Sequence, residues 1–191
     1  MGFRDTLLGR TKQVAPNLDN LFALPNVAIT LESQLDLVTS GHAGLCFKDA
    51  SGSASLATEQ ELHDLLLFDE ADKNVQLTKD ELGFSWLVIA DDDLSTLVTR
   101  IHGANTTLVE HGYGPHLLCA VFGFVPKSPP GEGDITIVYL LKQGTCYPFA
   151  PRDGQKRDNE LELRLRSFVG DDLPMEKDLS RWMALWGLPV A

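Results

Sequence analysis

The residues whose types would do chemistry are a few histidines and cysteines, an aspartate triplet and one basic loop. His42 and Cys46 stand four apart in a segment that reads as extended, which puts both on one sheet face. Two such side chains without further ligands do not make a zinc site. His102, His111 and His116 follow along a long helix and its exit. His102 and Asn105 lie beside that helix's apolar stripe, where a polar pair suits hydrogen-bonded structure better than ligation or general-base work. Asp91-Asp92-Asp93 stands just before the same helix. Adjacent Asp side chains do not converge on one cation and no spaced Ca2+-loop ligands follow, so capping and helix-dipole complementarity are the expected role.

The loop Arg152-Asp153-Gly154-Gln155-Lys156-Arg157-Asp158-Asn159 opens another helix. Its amides together with Arg152, Lys156 and Arg157 would suit a phosphate or carboxylate. The same residues also suit a capped, salt-bridged turn. There is no GxSxG elbow, no GxxxxGK[ST] or GxGxxG loop and no CxxC pair. The expectation is therefore no catalytic residue, no metal and no cofactor.

The chain has 191 residues, 43% of them apolar and 23% charged, which fits one globular α+β domain over 1–191 with a basic segment at 1–16. The formal net charge of −11 opposes sequence-independent nucleic-acid binding and opposes the body lying on an anionic membrane. Acid gathers between Glu59 and Asp93, including Asp69, Asp72, Asp80, Glu81 and the Asp91–Asp93 run, against only Lys73 and Lys79. Such a face would suit a basic partner, or simply keep the surface solvated. Arg4, Arg10 and Lys12 give the N-terminal stretch the opposite sign. Cys46, Cys119 and Cys146 each sit in apolar surroundings and read as small core residues. No segment has the length of a membrane span and no leader is expected; Met1-Gly2-Phe3-Arg4-Asp5-Thr6 matches a short myristoylation pattern that is common by chance.

Positioning these side chains falls to a series of short elements. Asn17 would cap a helix ended by Pro25, and Val27–Leu31 and Ala43–Lys48 read as strands. After a loop at Gly52, Thr58 and Glu61 form a capping box ahead of a helix with Leu62, Leu65 and Leu66 on one face. Val75–Lys79 and Phe84–Ile89 read as a strand pair turning near Gly83. Leu94, Leu97, Val98, Ile101 and Leu108 mark a long helix ended at Gly112. Leu117–Val125 and Ile135–Leu141 are apolar on both faces, joined by a mobile Pro/Gly-rich connection at 126–133. If helices cover one face, a homodimer would cover the other. Cys146–Phe149 adds a short strand, a helix opens near Asp158, and Asp178 would cap a last helix bearing Leu179, Trp182, Met183 and Trp186. Trp182 and Trp186 would form an aromatic docking patch, or fold onto their own domain.

Leu7-Leu8-Gly9-Arg10-Thr11-Lys12, Leu18–Pro25, Tyr147-Pro148-Phe149-Ala150-Pro151, Arg157-Asp158-Asn159-Glu160-Leu161-Glu162-Leu163, Asp171-Asp172-Leu173-Pro174 and Asp178-Leu179-Ser180-Arg181-Trp182 follow in order. That order resembles the PspA-associated PspAB family over the whole chain. The resemblance implies a cytoplasmic, non-catalytic accessory of phage-shock protein A (PspA), a coiled-coil protein that protects stressed membranes. It implies an envelope-stress role and supplies no catalytic residues. The element order is also similar to type III secretion chaperone-like folds, with an antiparallel sheet flanked by helices. The alternative reading is a small-ligand or anion-binding domain, or an enzyme, built on the 152–159 loop with neighbouring histidines.

Overall fold

The computed structural model describes residues 18–48, 74–127 and 133–190. A 3-10 stretch, Leu18–Ala23, runs straight into helix α1, Leu24–Leu35. Strand β1, Leu37–Lys48, follows, then β2, Val75–Lys79, β3, Phe84–Ala90, and helix α2, Leu94–Glu110. Next come β4, Leu117–Pro126, β5, Ile135–Leu140, β6, Thr145–Phe149, a small hairpin of β7, Pro151–Arg152, and β8, Lys156–Arg157, and helix α3, Asn159–Val169. The six longer strands form one antiparallel sheet in the order β2-β3-β1-β4-β5-β6. The expected α+β class is what the chain adopts.

Two local expectations are overturned at α1. Pro25 begins that helix instead of ending one, because in the first turn its missing amide proton would have had no partner anyway. Val27–Leu31 is helix, not strand. Both periods place Val27 and Leu31 on one face, but a strand would also bury Ile29, and Ile29 is exposed. The helix stops at Asp36, whose left-handed backbone (φ 57°) returns its amide to the Leu31 and Glu32 carbonyls. The proposed Asn17 cap, the Gly52 loop, the Thr58–Glu61 capping box with its helix, and residues 128–132 of the β4–β5 connection lie outside the described residues.

The sheet is apolar on both faces, as the strand pattern requires. On one face Ala43, Leu45, Phe47, Leu87, Ile89, Ala120, Phe122, Ile137 and Tyr139 pack under α1, α2 and α3. Helix α2 supplies Leu97, Val98, Ile101 and Leu108 to that layer. Asp93 caps it, accepting from the Ser95 amide at 3.1 Å and the Thr96 hydroxyl at 3.0 Å, while Asp91 accepts from the Asp93 amide at 2.8 Å. The triplet is thus a helix-start device.

The opposite face carries Cys46, Trp86, Val88, Cys119, Val121, Val138, Tyr147 and Phe149. It is covered by the chain's own C-terminal segment through Trp182, Leu185, Leu188 and Val190. The premise for a covering homodimer is therefore removed over this area. The expected last helix is also corrected: Asp178 does cap, through the Ser180 amide, but only the 3-10 turn Leu179–Arg181. Gly187 (φ 70°) and Pro189 then keep the remainder irregular, and it lies along the sheet as a strap.

Candidate functional site: the strap face and its groove

The basic loop is a strap anchor. Asp158 caps α3 by accepting from the Leu161 amide at 2.9 Å, and that bond, with help from Arg152, holds its pKa below the ordinary value. Arg152 donates to Asp158 Oδ2 at 2.9 Å. Arg157 Nε donates to Glu162 Oε1 at 2.9 Å, its Nη1 to the Trp182 carbonyl and its Nη2 to the Pro148 carbonyl, and its guanidinium lies 5.2 Å from the Phe149 ring centre. Glu162, only 2% exposed, accepts in addition from the Ala150 amide at 2.9 Å. Both arginines are thus committed to internal partners, while Lys156 stays exposed. The anion-binding arrangement expected from the sequence is not assembled by these three side chains.

The strap has further ties. Glu176 donates its amide to the Cys146 carbonyl at 2.7 Å and accepts from the Cys146-side Thr145 hydroxyl at 2.9 Å. Tyr147 Oη donates to the Met183 carbonyl at 3.0 Å, and Trp182 stacks on the Tyr147 ring at 5.9 Å. Burial pushes the Tyr147 phenol up, so it stays a donor at all ordinary pH. The end of the strap, Val190, fits a notch in the sheet. Gly44 on β1 and Gly123 on β4 leave the space: a Cβ on Gly123 would sit 2.3 Å from Ser40 Oγ and 2.8 Å from the Val190 carbonyl oxygen.

Beside the strap, between it and the β2–β3 hairpin, lies a groove of about 630 Å3. Its walls include Lys79, Asp80, Glu81, Leu82, Trp86 and Trp186. Asp80 shapes the hairpin, accepting from the Leu82 and Phe84 amides and from Trp86 Nε1, each at 2.9 Å. Burial works to raise the Asp80 pKa, but these hydrogen bonds outweigh it and leave the carboxylate below its ordinary range. Trp186 stands edge-on to Phe149 at 5.1 Å and is 37% exposed, while Leu82 on the other rim is 82% exposed. The lining is therefore aromatic and aliphatic, with an edge of mixed charge in which Asp80 and Glu81 outnumber Lys79.

The histidines do not join this groove. His102 lies 3.6 Å from Asp19 and against the Phe22 ring, His111 Nδ1 meets the Thr107 carbonyl, and His116 faces Tyr113. Asn105 is buried on the same helix, with its Oδ1 unpartnered. His42 Nδ1 contacts the Ser40 carbonyl at the surface, away from buried Cys46. Among the described residues no three His, Cys, Asp or Glu side chains come together as a metal-ion set. Nor is any helix among them long and apolar enough to cross a membrane.

Residues 1–190 match the family model for PspA associated protein B. The chain belongs to the PspAB family. No curated protein matches it. Family membership links the chain to the PspA system, as the resemblance implied.

Within this PspAB protein the sequence-derived partner residues divide three ways. Arg4, Arg10, Lys12, Asp69 and Asp72 lie outside the described residues. Trp182 is 8% exposed and belongs to the sheet cover, with its Nε1 donating to the Glu176 carbonyl at 3.2 Å. Trp186 reaches the surface at the groove. Leu82 was missed, because a lone leucine in an acidic turn carries no periodic signal. The Asp80-Glu81-Leu82-Gly83 turn between two strands was the available clue, since a hairpin tip pushes its side chains outward.

Proposed function

We propose that this PspAB protein is a non-catalytic cytoplasmic accessory of a PspA envelope-stress system, and that it docks a PspA-like coiled coil through the groove between strap and hairpin. The family match over residues 1–190 is the observation that carries the reading. The groove supplies what a coiled-coil partner needs. Trp186 and Leu82 offer apolar contact for core-flanking side chains, and Asp80 and Glu81 meet the basic residues that coiled coils carry beside their seam. A homodimer forms no part of this reading, since the strap occupies the sheet face that would have formed it.

Calorimetric titration of the full chain with the PspA protein of the same cell tests it. The double variant Leu82→Ala/Trp186→Ala is expected to weaken binding by tenfold or more while circular dichroism stays unchanged. Undiminished binding by that variant removes the groove as the dock. Absence of any binding by the wild-type chain removes the direct PspA contact itself.

A further inference from the structure

Cys46 and Cys119 face each other directly across the β1–β4 ladder. Directly opposed residues of an antiparallel pair have Cα atoms roughly 4.5–5.5 Å apart, inside the roughly 4.4–6.8 Å span that a disulfide requires. Both side chains point to the strap face and belong to the same buried cluster. The ladder slips by one residue immediately beyond them, between Cys46 and Phe47, so the backbone there already departs from regular pairing. Cys146 is on the other face, with its thiol directed to the Pro174 carbonyl and pushed up to about 12 by burial. It does not compete for either partner.

We propose that Cys46 and Cys119 are a redox-modification site, a cross-strand dithiol that a small hydroperoxide converts to an intramolecular disulfide. One thiolate of the pair attacks the peroxide and the O–O bond breaks. With hydrogen peroxide the departing hydroxide takes the thiol's proton and leaves as water, giving a sulfenic acid. The second sulfur attacks that sulfenic sulfur, its S–O bond breaks, and hydroxide leaves with the second thiol's proton as another water. The two thiols together lose two electrons and two protons, and one peroxide is reduced to two waters.

The surroundings set how the site behaves. Cys46 and Cys119 are 3% and 7% exposed under Trp86 and the strap. The neighbouring Cys119 and burial both push the Cys46 thiol up, which keeps it protonated. The resting pair is therefore slow to react, and lifting the strap opens it. Cys46 is also the cross-strand neighbour of Trp86, whose indole N–H holds Asp80 at the groove wall. A bond at this pair is one side chain away from the groove.

The test uses the reduced full chain, exposed to hydrogen peroxide, quenched, and read by intact mass and by non-reducing peptide mapping. Wild type and Cys146→Ala are each expected to become two hydrogens lighter, with a Cys46–Cys119 cross-linked peptide that dithiothreitol releases. Cys46→Ala and Cys119→Ala, checked for folding by circular dichroism, are expected to lose that product entirely. Wild-type chains that only gain oxygen at cysteine, that cross-link between chains or through Cys146, or that stay fully reduced where the urea-unfolded chain oxidises would each overturn the assignment. The Cys146→Ala result decides the matter if either single variant of the pair fails to fold.

Discussion

Arg157 meets Glu162, two carbonyls and the Phe149 ring at once, and Glu162 is buried where α3 packs on the sheet edge. Removing one partner of a buried ion pair leaves an uncompensated charge, which costs about 3–5 kcal/mol. Arg157→Ala is therefore expected to lower the unfolding free energy by about that much in urea titration, and a loss under about 1 kcal/mol would show that Glu162 finds another partner. The sequence hid this role. Arg157 reads as an anion ligand because Arg152 and Lys156 stand beside it at a helix start. The correcting signal was present in Glu162, which shares helical spacing with Leu165 and Val169 and so sits at a core position. Asp80 gives a second prediction at this scale. Its depressed pKa means its carboxylate lends stability that is complete above the ordinary value of 3.8 and is lost as pH falls through the lower folded value. Asp158 behaves alike. Acid unfolding followed by fluorescence is expected to steepen below about pH 4, and Asp80→Asn to flatten that slope without changing the neutral-pH fold.

The strap is the element that the sequence concealed most fully. Leu179, Trp182, Met183 and Trp186 fall at helical spacing, yet a chain crossing a sheet face also needs a large apolar side chain every three or four residues. What decided between the two was Gly187 and Pro189 beyond the run, together with a notch that only the folded sheet creates. The two-faced apolar strands were legible, and they called correctly for cover on both sides. They did not say whether cover comes from a second chain or from this one. At α1 the opposite failure occurred, because Val27 and Leu31 fit both periods and only the exposure of Ile29 separates them. The notch offers a sharp test of the strap. Gly123→Ala places a methyl group inside the distance of Ser40 Oγ and the Val190 carbonyl, and overpacking of this kind costs about 1–3 kcal/mol. The expected outcome is local: limited proteolysis cuts the segment after Trp182 faster than in wild type, while the helix-face core keeps its protection in hydrogen exchange. Equal cleavage rates would mean that the strap does not depend on the notch.

For the whole molecule, a net charge of −11 makes long-range attraction to a basic partner strong and short-range docking selective. Those two contributions separate experimentally. Asp80 and Glu81 at the groove contribute to the field, and their effect on association shrinks as the screening length falls from about 10 Å at 0.1 M salt to about 3 Å at 1 M. Trp186 contributes contact area, which salt does not screen. If the groove is the dock, Glu81→Lys slows association with PspA and flattens its dependence on salt, whereas dissociation changes little. Trp186→Ala instead speeds dissociation, by roughly thirtyfold for a hot spot of about 2 kcal/mol, at low and high salt alike. Charge reversal at Arg4, Arg10 and Lys12, which makes the chain still more acidic, is expected to leave dissociation near wild type and to speed association only, and Asp69→Lys with Asp72→Lys to slow association only. Surface-plasmon measurements across a salt series read all four. If the N-terminal reversal abolishes binding while the groove variants bind normally, the dock lies at the basic segment, and Asp80 serves only to hold the hairpin.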